Sequence, residues 1–356
     1  MRRIVIDSYP VSTPYTGLGE FCIQICKRLS KRAKELRQKY NIELYFMLPP
    51  QYTGCFGNEV KYICISASLR RYIPLYPFKA DIFHIPYQCS KVKCMYFAKK
   101  QLLTIHDINF IYEKSGRGLK KSSQKLSRRI KHSDYLSYIS KFAYEDTERY
   151  FNTNKPYKII YNGVSDLSTT SDSSVLPSYL PDNFLFHISS LQPKKNIHLL
   201  VDMMKYLPEH NLVIVGSWNN SYANNLKQKI EKNNIKNIFM LPNVTEQEKA
   251  ALFSACKAFL FPSLCEGFGL PPIEAMKLGK PVFLSTLTSL PEIGGKDAFY
   301  WNDLNPKSMA NTLKEQLKVY DQTPEYADRL KQNAARFNWE KCVDEYIKYY
   351  LEILKE

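Results

Sequence analysis

The chain has 356 residues, 44% of them hydrophobic and 24% charged, which suits two globular domains and excludes a disordered chain. No stretch approaches the roughly 20 apolar residues that a membrane span needs, and the opening Met1-Arg2-Arg3-Ile4-Val5-Ile6-Asp7 turns polar too soon for a secretory signal, so a cytoplasmic protein is expected. The net charge of +16 is one-sided: residues 1–165 carry 29 Lys and Arg against 12 Asp and Glu, a net of +17, whereas residues 166–356 carry 21 against 22, a net of −1.

Nine cysteines, an odd number with no Cys-x-x-Cys pair, read as reduced thiols rather than a disulfide frame or a zinc site. Residues 3–6 form a first buried strand. The glycine loop Thr16-Gly17-Leu18-Gly19 follows, and Phe21, Ile23, Ile25 and Leu29 then begin a helix that runs into the basic stretch Lys27 to Lys39. Strands are expected at 42–48, 82–85 and 101–105, a mostly helical basic region at 115–150, and short strands at 138–140 and 158–161. The polar run Ser165 to Ser174 is the expected linker. A second set follows: strands at 184–188, 212–216, 237–241, 258–261 and 281–284, a helix at 197–206, and a helical tail from about 325 to the end. Strands alternating with helices twice over predict an α/β protein with two Rossmann-like, doubly wound parallel sheets.

The most specific segment is Pro262-Ser263-Leu264-Cys265-Glu266-Gly267-Phe268-Gly269-Leu270-Pro271-Pro272-Ile273-Glu274-Ala275-Met276. Two carboxylates stand eight positions apart around a glycine loop, and Pro-Pro opens a helix, where proline's missing N–H costs nothing. Backbone N–H groups of the loop and the helix start suit a phosphate. Glu274, placed in the first helical turn, suits a ribose diol, and Glu266 suits sugar hydroxyls. No Asp-x-Asp is present to hold a metal, so no metal site is expected, and lysines with backbone amides would carry the diphosphate charge instead.

This segment resembles the signature of glycosyltransferase family 4, retaining enzymes with the GT-B fold. The likeness extends over nearly the whole chain through Thr16-Gly17-Leu18-Gly19, Thr104-Ile105-His106-Asp107, Tyr161-Asn162-Gly163-Val164, Leu191-Gln192-Pro193-Lys194-Lys195-Asn196, Ser289-Leu290-Pro291-Glu292 and Phe337-Asn338-Trp339-Glu340. The resemblance implies an N-terminal acceptor domain over 1–165 plus about 340–356, a donor domain over 166–339, and a C-terminal helix packed back on the first domain. It implies catalytic roles for His106 and Glu266. It implies donor binding by Gly17, Gly19, Lys194, Lys195, Val244, Gly267, Phe268, Gly269, Leu270 and Glu274, with Val244 at the base and the two lysines at the diphosphate. Two departures alter the phosphate ligands: Ser189-Ser190 stands where the family has Gly or Gly-Arg, and Lys194 stands where Arg is common and a bidentate fork is lost.

The resemblance thus implies a retaining transfer of a hexose from a GDP- or UDP-linked donor to a glycan or lipid-linked glycan, in the synthesis of bacterial surface polysaccharide, without a metal or cofactor. The form Pro193-Lys194-Lys195-Asn196 resembles a subgroup rich in mannosyl transferases, which points to GDP-mannose. The basic first half suggests a peripheral enzyme on the anionic inner face of the plasma membrane, touching it through Lys31–Lys39 and Lys120–Lys131. Two alternatives stay open on these residues: a nucleotide-sugar epimerase or other enzyme of the same fold, and a basic nucleic-acid-binding protein, although no nucleic-acid motif is present.

Overall fold

The computed structural model describes residues 1–14, 16–66, 68–69, 79–92, 98–165, 167 and 173–356. Most of the expected linker, together with Cys94, lies outside the described residues. The chain forms two compact units, one of Met1–Gly163 with Phe337–Glu356 and one of Val164–Arg336.

The first unit runs β1 (Arg2–Asp7), α1 (Gly17–Tyr40), β2 (Ile42–Leu48), β3 (Lys61–Cys64), β4 (Ala80–Ile85), β5 (Ala98–Ile105), α2 (Phe110–Glu113), α3 (Gly116–His132), β6 (Tyr135–Tyr138), α4 (Lys141–Phe151) and β7 (Tyr157–Ile159). The strands pair in parallel in the order β3-β2-β1-β4-β5-β6-β7. Ile4 lies opposite both Leu44 and Ile82, so three apolar runs meet at one level. Side chains alternate across the sheet: Ile4 and Ile6 face one core, and Val5 faces the other. Both faces are covered, which is why these strands read as continuous apolar runs rather than alternating ones.

Helix α1 starts inside the glycine loop and not after it, because Thr16 caps the helix by accepting from the Gly19 N–H at 3.0 Å. It buries Phe21, Cys22, Ile25, Cys26, Leu29, Ala33 and Leu36, a stripe at helical spacing, and ends on Asn41 in the left-handed region. Arg37 and Lys39 in its last turn complement the helix dipole.

The second unit repeats the plan with β8 (Leu185–Ile188), α5 (Ile197–Met203), β9 (Leu212–Val215), α6 (Ser221–Lys232), β10 (Ile238–Leu241), α7 (Glu246–Ala255), β11 (Ala258–Phe261), α8 (Leu270–Lys277), β12 (Val282–Ser285), α9 (Leu290–Gly294), β13 (Phe299–Trp301), α10 (Pro306–Asp321) and α11 (Tyr326–Ala335). Its parallel sheet has the order β10-β9-β8-β11-β12-β13. Within each sheet the order reverses beside its first strand, between β1 and β4 and between β8 and β11. Such switch points leave a crevice at the carboxyl ends of the strands. The expected α/β class with two doubly wound parallel sheets is thus borne out.

The helical tail differs from expectation in one respect: it breaks at 336–338, where Asn338 caps a new helix, α12 (Trp339–Ile353), by accepting from the N–H groups of Glu340 and Lys341. Helix α12 buries Cys342, Val343, Tyr346, Ile347, Tyr350 and Ile353 in the same core as α1. The return of the C-terminal helix to the first unit is therefore observed. Its seat is polar as well as apolar. His84 meets the Tyr350 hydroxyl at 2.7 Å through Nδ1 and Thr104 at 2.8 Å through Nε2, and Thr104 also reaches Ser137 at 2.7 Å and Tyr346 at 3.1 Å. Each of these buried polar atoms needs a partner, and this network supplies one. The ion pairs Arg28–Glu340 and Arg32–Asp344 add charge matching on the more exposed edge, where such pairs contribute little.

Candidate active site

In the second unit the site residues collect at the carboxyl ends of β8, β10 and β11, on either side of the switch point. After β8 the chain enters a tight turn, Pro193–Lys195, and Asn196 in the left-handed conformation starts α5. The turn places Lys195 Nζ 2.5 Å from Glu266 Oε1, and both side chains are largely buried (12% and 13% exposed). Lys195 also stands over the Phe261 ring at 5.2 Å, which adds an attraction for the cation. Two residues 71 positions apart thus form one charged pair. The carbonyl of Lys194 accepts from the Leu264 N–H at 2.8 Å and from the Ser263 hydroxyl at 3.2 Å, so the lysine turn and the glycine loop are locked to each other.

The glycine loop is held from its other side by the β12–α9 connection. Ser289 donates to the carbonyls of Glu266 and Phe268, Thr288 accepts from the Glu266 N–H at 3.1 Å, and Ser285 donates to the Ser263 carbonyl. Gly269 then opens α8 at φ +120°, a conformation other residues rarely adopt. Leu270 is the first residue of α8, with Pro271 and Pro272 behind it. Glu274 is the fifth residue, one position deeper than a start at Pro271 would place it, because the helix begins at Leu270 rather than at the prolines. It does not join Lys195. It is 8% exposed and pairs with Lys249 at 3.0 Å. Val244 is half-buried after β10, directly before Thr245, whose side chain accepts from the Glu248 N–H while Glu248 accepts from the Thr245 N–H. This capping box fixes the start of α7.

His187 of β8 is a further member, and it belongs to none of the motifs read in the sequence. Burial pushes its imidazole down to about 4 despite the opposing Leu260 carbonyl, so the ring is neutral. Its Nδ1 lies 2.7 Å from the Leu260 carbonyl and must carry the proton, leaving Nε2 to accept from Ser189 at 2.8 Å. The Ser189 hydroxyl is oriented by this histidine.

In the first unit, Gly17 and Gly19 are the first and third residues of α1. Gly17 is exposed with open space where a side chain would go, whereas a Cβ on Gly19 would run into the Thr13 carbonyl. His106 follows β5 and is buried. Its Nε2 lies 2.8 Å from the Pro86 carbonyl, its N–H donates to Gln88, and its ring meets Phe21 of α1 edge-on at 4.7 Å. Burial lowers this imidazole to about 4, so it too is neutral and donates from Nε2. His106 and the start of α1 are therefore neighbours through Phe21.

Lys249, Ser285, Thr288 and His187 belong to none of the motifs read in the sequence, whereas Ser289 opens the stretch Ser289-Leu290-Pro291-Glu292. Only Thr245-x-x-Glu248 carries a local signal, that of a helix cap. Apart from His187 with Ser189, two positions apart, the other contacts join residues more than twenty positions apart and leave no periodic trace.

Residues 168–337 match the family described as "Glycosyl transferases group 1". The chain is 25% identical to the O-antigen chain mannosyltransferase B of Escherichia coli, over 98% of this chain and 99% of that one. It is 29% identical to the O-antigen chain mannosyltransferase RfbU of Salmonella typhimurium, over 71% of this chain and 69% of that one. Among solved structures, Alr3699/HepE of Anabaena, in complex with UDP and glucose, is similar in fold, with a TM-score of 0.76 at 18% identity, covering 99% of this chain and 100% of that one.

Proposed function

We infer that this chain is a group 1 glycosyl transferase, the family matched over residues 168–337, and that it moves mannose from GDP-mannose to a lipid-linked glycan in the assembly of a bacterial surface polysaccharide. The likeness to two O-antigen mannosyltransferases supports the sugar and the pathway class. The observation that carries the reading is the buried Lys195–Glu266 pair at the β8/β11 switch point, beside the glycine loop that opens α8.

Each residue then has a task. Lys195, with Lys194, neutralises the diphosphate as it leaves. The N–H groups of Gly267, Phe268 and Gly269 and the start of α8 at Leu270 add donors and partial positive charge toward it. Glu266 binds hydroxyls of the donor sugar, Glu274 binds the ribose, and Val244 lies against the base. Gly17 and Gly19 keep the backbone of the first unit open to the donor, and His106, whose Nε2–H is given to the Pro86 carbonyl, keeps Nδ1 to accept from a sugar hydroxyl. Binding the donor requires Glu266 to release Lys195 to the diphosphate, so the resting ion pair is exchanged for two ligand contacts. The acceptor attacks the anomeric carbon from the face that the diphosphate leaves, with configuration retained and the departing phosphate taking the acceptor's proton. No metal is needed in this scheme, because lysines and amides supply the positive charge.

The acceptor side is assigned to the basic first unit, on an anionic membrane surface. Helix α3 is the surface we propose for this contact. Arg117, Lys120, Lys121, Arg128 and Lys131 are exposed there and form no ion pair among the described residues, whereas Arg32 and Arg37 of α1 pair with Glu35, Asp344 and Glu59. No described helix is long and apolar enough to cross a membrane. Each cation near an anionic leaflet contributes about 1 kcal/mol.

The test is a thermal-shift series with GDP, UDP, ADP and their sugar conjugates, without metal, followed by transfer assays. Stabilisation by GDP and GDP-mannose, with transfer lost in Glu266→Ala and Lys195→Ala, is expected. Full turnover in either variant refutes the assignment. Binding to anionic vesicles at low salt that persists in K120E/K121E/R128E refutes the α3 surface.

A further inference from the structure

We infer that Lys249 is the positioning residue of the nucleoside end: it holds the Glu274 carboxylate ready for the two ribose hydroxyls and links ribose recognition to the segment that meets the base. The inference rests on the donor reading above and adds to it a residue that belongs to neither the glycine loop nor the lysine turn.

The geometry carries the argument. Lys249 is the fourth residue of α7, and its Nζ lies 3.0 Å from Glu274 Oε1 and 2.7 Å from Glu246 Oε2. The Lys249 and Glu274 side chains are 16% and 11% exposed, whereas Glu246 is 76% exposed. The buried partner is therefore the one that matters, since an exposed pair contributes little. A carboxylate this deep, deprived of its cation, takes up a proton or turns toward water. Either change ends its use as an acceptor for a diol, because a diol donates two O–H groups and needs an ionised carboxylate in a fixed place. Burial alone would lower the Lys249 ammonium, but the charge of Glu274 and the contact with Glu246 override this and raise it, so the cation stays charged throughout the working range.

The position of Lys249 along α7 gives the second half of the inference. Val244, Thr245, Glu248 and Lys249 are consecutive parts of one rigid start: the capping box locks the first turn, with Val244 just before it and Lys249 just after. Helix α7 therefore sets the distance between the base-facing Val244 and the ribose-facing Glu274. A tie that served only to join α7 to α8 would affect stability and nothing else.

The experiment uses the full chain and isothermal titration. GDP, UDP and ADP are compared first, and the tightest binder is then compared with its 2′-deoxy and 3′-deoxy forms. In the wild type a missing ribose hydroxyl weakens binding at least about tenfold, as expected of a site built to hydrogen-bond it. In Lys249→Met that preference falls below about threefold, and the donor KM rises about tenfold while kcat changes by less than about threefold. Lys249→Arg restores most of the preference. In the Glu274→Gln background, Lys249→Met has no further effect on it. Lys249→Gln replaces Lys249→Met if the latter does not fold. A wild-type preference retained in Lys249→Met or Lys249→Gln overturns the inference, even when melting temperature falls. A wild-type chain that binds none of the three nucleotides overturns the donor reading itself.

Discussion

The pair Lys195–Glu266 allows a prediction whose sign is set by the structure. Replacing Lys195 by Met keeps the length and packing of the side chain but leaves the Glu266 carboxylate, 13% exposed, without its cation 2.5 Å away. Breaking such a pair from one side costs about 3–5 kcal/mol in a fully buried setting. The remaining exposure places this case at the low end, about 3 kcal/mol. For a unit the size of Val164–Arg336 each kcal/mol lowers the melting temperature by about 2–4 °C, so a fall of about 6–12 °C is expected. Glu266→Gln alone strands the ammonium and acts in the same direction. The double variant K195M/E266Q contains neither charge, and a buried pair replaced by neutral groups is often no less stable. The double variant should melt within about 1 kcal/mol of the wild type, giving a coupling of at least about 2 kcal/mol. Calorimetric scans of the four proteins decide the matter. Additive losses, or single variants that melt with the wild type, would refute the claim that these two charges depend on each other. All three variants should lose transfer, since each lacks a ligand-binding group.

Gly19→Ala forces a Cβ into the Thr13 carbonyl and should cost about 1–3 kcal/mol in urea denaturation, while Gly17→Ala, with open space around it, should change stability by less than about 1 kcal/mol and affect donor binding only. Tyr350→Phe removes the hydroxyl that meets His84 Nδ1 and should cost about 1–3 kcal/mol, because a buried ring nitrogen is left without its partner. The buried histidines predict an acid limb. His187 is held down to about 4 and His84 to about 3 by burial, whereas unfolded histidine takes a proton near 6.5. The unfolded state therefore binds more protons as pH falls below about 6.5, and stability drops by about 1.4 kcal/mol per pH unit for each such histidine, until the folded values are reached. From pH 6.5 to 5 the second unit should lose about 2 kcal/mol through His187 alone, and a denaturation midpoint that stays level from pH 7 to 5 would show that the ring is charged in the fold.

Much of this protein was legible in the residues themselves, and the reason is that the signals are local. The mainly apolar runs 42–48 and 258–261 match β2 and β11 to the residue, because a strand covered on both faces is mostly apolar, with Glu43 the one charged residue of β2 and only half-buried. The glycine loop and the Pro-Pro helix start announce α8 through backbone requirements that only those residue types meet. What escaped is equally specific. Strands β3 and β13 lie at sheet edges, only four and three residues long, and pair on one side alone, so neither needed a long apolar run. Strand β6 ends at Tyr138, whereas the sequence suggested that it begins there, because Ser140 is drawn off as the cap of α4. The α-helix expected at 197–206 stops at Met203 and closes as a tighter turn. The pairings that give the site its electrostatics were out of reach altogether: Lys195 with Glu266, Lys249 with Glu274, and His84 with Tyr350 stand 71, 25 and 266 positions apart. Strand order brings them together, and strand order follows from how whole elements bury their faces against one another, a choice that residue spacing along the chain does not encode.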